Sequence, residues 1–254
     1  MSKLKTCAYC DKEGPMTREH IWPKCIIERM PDLTSRYVGS QNKYISGELV
    51  IADVCAECNN KKLSDLDAHL CLLFDRYFHQ FQEISNNFEF EYDYDMLMRC
   101  LLKITYNSSR TIIKENNPFA KYRKVILDGG VQREDIIIKL DLVIPSNEEG
   151  IILPPHSARC ASIDTGRKLE HFIIRCIAIN SFYFYIILSK KESVESNVIE
   201  ELKFVMHNVP GVIVHPYRSK IIVDDISGKN TRDTHEHFIY STKDSYEAFL
   251  KKRK

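Results

Sequence analysis

The chain has 254 residues, 44% of them hydrophobic and 10% aromatic, with a formal net charge of +1. That is enough apolar material for one large or two small domains with a real core, and so even a charge balance excludes a polycation that grips nucleic acid by bulk electrostatics. No apolar run reaches spanning length, and Met1-Ser-Lys-Leu-Lys lacks the apolar stretch of a secretion signal, so the expectation is a soluble, cytoplasmic protein without a membrane partner.

In chain order, Thr6 to Cys10 predicts a tight turn, and Gly14-Pro15 a second one. Met16 to Trp22 reads as a short strand that Pro23 ends. Lys24 to Met30 is one or two helical turns stopped by Pro31-Asp32. Ser35 to Gly47 is polar and reads as a loop. Glu48 to Val54 is a second strand that delivers Cys55. From Asn60 the period becomes helical: Leu63, Leu66, Leu70, Leu73, Phe74, Tyr77, Phe78 and Phe81 recur at spacings of three and four. One long helix is expected there, capped by Asn59 or Asn60, favoured by Asp65 and Asp67 in its first turns, and ending near Ser85-Asn86-Asn87.

An acidic stretch, Glu89 to Asp95, separates this part from a second region. Met96 to Asn107 is helical, Asn116-Asn117-Pro118 breaks it, and Phe119 to Val125 is a further short helix. Ile136 to Ile144, His171 to Ile179, Phe182 to Leu188, Val212 to His215, Lys220 to Val223 and Glu236 to Tyr240 read as strands, with Asn180-Ser181 as a hairpin turn. Val198 to His207 and Ser245 to Lys252 read as helices. The class is α+β with a mainly antiparallel sheet.

The chemistry concentrates between Cys7 and Asp67. Cys7-Ala-Tyr-Cys10 and Cys55-Ala-Glu-Cys58 are two Cys-x-x-C turns, and each can aim both of its sulfurs at one ion. Four thiolates close a tetrahedral Zn²⁺ site. The other five cysteines, Cys25, Cys71, Cys100, Cys160 and Cys176, sit among apolar residues and read as buried free thiols. The odd total of nine cysteines in the chain argues against a disulfide framework. His235 and His237 could share one face of a strand, but no Cys or carboxylate block lies nearby and a surface strand is the plainer reading.

Three blocks, Cys7-Ala-Tyr-Cys10, Arg18-Glu-His-Ile-Trp-Pro23 and Val54-Cys-Ala-Glu-Cys-Asn-Asn-Lys-Lys62, resemble the HNH (His-Asn-His) endonucleases, whose core is the ββα-metal fold. The resemblance covers about the first third of the chain. It implies a zinc-stapled ββα-metal module over 1–90, followed by an α+β domain over 91–254 that recognises a target or a protein partner. It implies His20 as general base toward water attacking a phosphodiester. It implies Glu19 and Asn59 as ligands of a catalytic Mg²⁺ or Mn²⁺, and Arg18, Lys61 and Lys62 as nucleic-acid contacts. Cys7, Cys10, Cys55 and Cys58 would hold the structural zinc. DNA is the expected substrate and RNA the alternative; a bacterial anti-phage setting is part of the same resemblance. The chain departs from the family where a middle Asn should precede the second cysteine pair and orient the histidine: only Asp53 stands there, as a substitute. That departure favours a second expectation, a zinc-stabilised nucleic-acid or protein-binding module without catalysis.

Overall fold

The computed structural model describes residues 5–30, 35–38, 43–46, 49–82, 87–113, 115–130, 133–148, 151–153, 158–190, 196–224, 247–248 and 251–252. The expected strand Glu236–Tyr240, the His235/His237 pair and most of the expected C-terminal helix lie outside these residues.

Strands β1 (Lys5–Thr6) and β2 (Glu13–Gly14) pair around the first cysteine turn. Strand β3 (Met16–His20) leads into helix α1 (Lys24–Arg29), which follows Pro23 as expected. The segment read as a loop contains a hairpin instead, β4 (Ser35–Val38) with β5 (Lys43–Ser46). The two strands pair from Ser35 opposite Ser46 to Val38 opposite Lys43. Strand β6 (Val50–Cys55) pairs antiparallel with β3, His20 opposite Val50 and Met16 opposite Cys55, with a register shift between Thr17 and Glu19.

The long helix is present, but its ends differ from expectation. Helix α2 (Ser64–Leu73) continues a wide π turn over Cys58–Leu63 and runs into another over Phe74–Phe78. Asn59 and Asn60 are therefore inside helical backbone rather than at a cap: Glu57 already has helical dihedrals. The helix stops near Phe78, where Asn180 donates its side-chain amide to the Phe78 carbonyl at 2.5 Å. Phe81, counted in the helical stripe, falls beyond it and is exposed.

The acidic stretch begins in strand β7 (Asn87–Glu91), which pairs with a later strand, and ends in the first turn of the next helix. Helix α3 (Tyr94–Arg110) starts at Asp93, whose carboxylate accepts from the Met96 amide at 3.0 Å. A single 3₁₀ turn at Ala120–Tyr122 leads into helix α4 (Arg123–Asp128). Then come β8 (Ile136–Leu142), a small hairpin β9 (Ser146–Glu148) with β10 (Ile151–Leu153), β11 (Ala158–Ser162), β12 (Phe172–Ile179), β13 (Phe182–Ser189), helix α5 (Ser196–Asn208), β14 (Val212–Ile213) and β15 (Lys220–Asp224). β9, β10 and β11 have too short or too mixed an apolar pattern to be read from sequence.

Strands β11-β12-β13-β8-β14 form one five-stranded sheet, antiparallel at every pairing. β7 and β15 form a separate ribbon. The β12–β13 turn is tight because Asn180 takes a left-handed conformation (φ 49°), which asparagine tolerates well. Both faces of the sheet are buried. Phe182, Phe184, Ile186 and Leu188 join the main core with α2, α3 and α4, while Tyr183, Tyr185 and Ile187 face the cluster that includes Val198, Val205 and Val209. This two-sided burial explains why β12 and β13 read as continuous apolar runs. Where α2 ends, Phe78 stacks among Phe90, Phe182 and Phe184 at centroid distances of 4.8 to 6.1 Å.

The expectation of free thiols is corrected at two positions. Cys25 on α1 and Cys71 on α2 are joined as a disulfide, with Cα atoms 6.4 Å apart. Their separation of 46 residues gave no sequence signal; the pairing follows from the packing of the two helices. Cys100 and Cys176 are buried thiols and Cys160 a half-buried one.

Candidate metal centre and the polar seam behind it

Two turns and a strand end build the four-cysteine centre. Cys7 to Cys10 is a closed turn: the Cys7 amide donates to the Lys12 carbonyl at 2.9 Å, and Asp11, in left-handed backbone (φ 59°), donates to the Cys7 carbonyl at 3.0 Å. The second pair straddles the end of β6 and the start of the helix. The Ala8 amide bonds to the Asp53 carbonyl at 2.8 Å and seats one turn on the other.

The sulfurs of Cys7, Cys10, Cys55 and Cys58 all lie within 4.8 Å of one another. Those of Cys10 and Cys55 are 3.7 Å apart. A tetrahedron of thiolates at ordinary zinc–sulfur distance has edges of about 3.8 Å, so the donor set fits a zinc ion. The Cys55 backbone amide donates to the Cys7 sulfur at 3.3 Å. Burial pushes the Cys7 thiol up, but backbone amides from Cys55, Cys10 and Tyr9 outweigh it and bring it down to about 7. Burial pushes Cys58 up, and its crowded sulfur neighbours add to this. Four thiolates at such distances repel one another, and a soft cation removes the conflict.

The centre joins β3 to the helix start. The Asn59 side-chain amide donates to the Thr17 hydroxyl at 2.8 Å and to the Arg18 carbonyl at 3.1 Å. Both of its amide protons are thereby used, and the atom it has left to offer an ion is its oxygen. Glu19 and His20 follow directly in the strand; His20 is half-buried, and Ile21 and Trp22 beyond it are buried. Arg18 is exposed. Lys61 pairs with Glu57 at 2.9 Å, and Lys62 with Asp128 at 2.5 Å. Each of the two lysines thus has a carboxylate partner.

Glu19 is placed differently from an ion ligand open to solvent. It is 2% exposed, and its Oε1 accepts from Lys103 Nζ at 2.8 Å and from Asn107 Nδ2 at 3.0 Å. Lys103, itself 1% exposed, also pairs with Asp67. Asn107 uses its full hydrogen-bonding capacity: it donates to Glu19 and to the His20 carbonyl, the latter at 3.0 Å, and accepts from the Tyr9 hydroxyl and from Arg110, both at 2.6 Å. Arg110 lies over the rings of Tyr9 and Tyr106 and pairs with Asp53. Asp53 therefore serves Arg110, and the asparagine that reaches the histidine strand comes from α3. Burial pushes Lys103 down, but two nearby carboxylates outweigh it and its pKa is raised. Asp67 is pushed up by burial, with the Glu19 charge adding to it against the pull of Lys103. Two carboxylates share one ammonium.

Lys103, Asn107 and Arg110 follow one another at helical spacing on α3. Sequence reading missed them because the face they occupy is otherwise apolar. The available signal was that three hydrogen-bonding side chains of full length recur along a core-facing stripe. Two grooves lie elsewhere. One of about 510 Å³ is lined by His69, Leu72, Arg76, Glu91 and Lys220 among others. One of about 810 Å³ is lined by Tyr94, Met98, Tyr217 and Arg218 among others. No helix among the described residues is long and apolar enough to cross a membrane.

No family model, curated protein or solved structure matches the chain. What stands is a mixed helix-and-sheet protein with antiparallel sheets and a four-cysteine cluster compatible with zinc.

Proposed function

We propose that the chain is an HNH-type endonuclease, a metal-dependent phosphodiester hydrolase whose first third carries the cutting site. One observation supports this most: the four-cysteine cluster clamps an antiparallel strand pair to the start of a helix, and Asn59 on that helix bonds the backbone next to Glu19-His20. In this reading His20 takes a proton from water, the oxygen adds to phosphorus, and the bond to the 3′ oxygen breaks as that oxygen takes up a proton. Mg²⁺ or Mn²⁺ would supply charge neutralisation at the phosphate. The Asn59 oxygen would be the atom it offers such an ion. Glu19 does not fit it as it stands, because Lys103 and Asn107 hold its carboxylate, and no step is assigned through it. DNA is the favoured substrate, RNA the alternative, and an anti-phage role and a partner for the region beyond residue 90 belong to the same proposal.

The burial of Glu19 favours a second reading, a zinc-stapled binding module without catalysis. Plasmid DNA and RNA cleavage by wild type and His20→Ala, with and without Mg²⁺ or Mn²⁺, separates the two. The nuclease reading expects metal-dependent cutting that falls about 100-fold or more in the variant, with zinc retained. Equal cutting by both proteins removes His20 as the base, and no cutting by either favours the binding module.

A further inference from the structure

The cluster around Glu19 has a feature the nuclease reading leaves unused: a cation is already there. Lys103 sits between Glu19 and Asp67, contributed by a helix more than 80 residues downstream of Glu19. Its stem is enclosed and the pair with Glu19 is dry, at 2% and 3% side-chain exposure. A divalent ion ligated by Glu19 would stand within a few ångströms of this ammonium. At about 4 Å, even with effective screening typical of a protein surface, two like charges repel by several kcal/mol per unit charge pair. Displacing the ammonium instead would cost buried Lys103 one of its two carboxylate partners.

We propose that Lys103 is the built-in counter-ion of the Glu19–Asp67 pair, filling the place a divalent cation would take, and that Glu19 is a positioning residue for His20 rather than a metal ligand. The positioning runs through Asn107. Its amide nitrogen bonds the Glu19 carboxylate and the His20 carbonyl at the same distance, 3.0 Å, so the carboxylate and the strand end are held by one side chain. Asn107 cannot turn over without breaking its bonds from Tyr9 and Arg110. The charge assignment does not need the site to cut; its bearing on His20 chemistry rests on the nuclease reading.

The test is a Mn²⁺ titration of the zinc-loaded full chain, wild type against Glu19→Gln, with free Mn²⁺ read by electron paramagnetic resonance. The expected result is the same number of bound Mn²⁺ and affinities within about twofold, because the amide replaces a carboxylate that no ion touches. A tenfold loss of affinity, or one fewer ion bound, overturns the proposal. If the variant does not retain zinc, wild-type crystals soaked in Mn²⁺ decide by anomalous scattering: manganese bonded to Glu19 overturns it, and Lys103 still on Glu19 supports it. Where the chain cuts, Glu19→Gln should lower kcat while the Mn²⁺ concentration for half-maximal rate stays fixed, and a raised Mn²⁺ requirement overturns the positioning role. Absence of cutting in wild type counts against the nuclease reading alone, since the Mn²⁺ titration still shows whether an ion touches Glu19.

Discussion

The two halves of the molecule are held by different forces. Around the cysteines, a polar seam of Glu19, Lys103, Asn107 and Arg110 is buried beside apolar side chains, and a four-cysteine cluster compatible with zinc joins the turns. Around the five-stranded sheet, Phe78, Phe90, Phe182 and Phe184 fill the core with packed rings. Apolar packing is tolerant of small changes in shape. A buried ionic network is not, because every partner removed leaves a desolvated charge. The seam therefore fixes geometry at a cost in stability, whereas the ring cluster gains stability from burial.

The largest test of that contrast is metal removal. Chelation, or Cys58→Ser, should release one zinc per chain and remove the order of residues 5–80, since structural zinc contributes about 10 kcal/mol or more. Hydrogen exchange should rise there while β12 and β13 stay protected; uniform loss of protection would erase the distinction between the halves. On the apolar side, Phe182→Ala should cost about 3–5 kcal/mol in denaturant unfolding with zinc content unchanged. On the polar side, Lys103→Met leaves two carboxylates without their ammonium and should cost about as much, 3–5 kcal/mol. Its signature differs: the loss should shrink when pH is lowered far enough to protonate Asp67, whereas the Phe182→Ala loss should not follow pH.

The smallest effect comes from Asp141, at the sheet, whose carboxyl burial raises to about 6. A carboxyl whose folded pKa is raised is penalised when ionised. Its cost is therefore full above about pH 6 and disappears as pH falls below the unfolded value near 4. Asp141→Asn should raise stability at pH 7.5 by up to about 3 kcal/mol, with no gain at pH 3.5. A constant gain across that range would assign the effect to something other than ionisation.

Legibility followed range. The four cysteines, β3, β6 and the body of α2 were readable because short turns and helical periods are local. β7 carries a local signal too, since Phe88, Phe90 and Tyr92 alternate with acidic residues, but the run of charge masks the period of two. The hydrogen-bond partners of Glu19 and His20 were not readable, since Asn107 lies 87 residues beyond the carbonyl it holds. No local rule links those positions. Only the docking of α3 does.

The distance along the chain has a consequence for synthesis. The cysteine turns can close as soon as residue 58 has left the ribosome. The strand end bearing His20 waits for Tyr9 and Asn107, 98 residues apart, to meet. A nascent chain whose cysteine turns have closed still lacks the seam, which forms only after Asn107 has emerged.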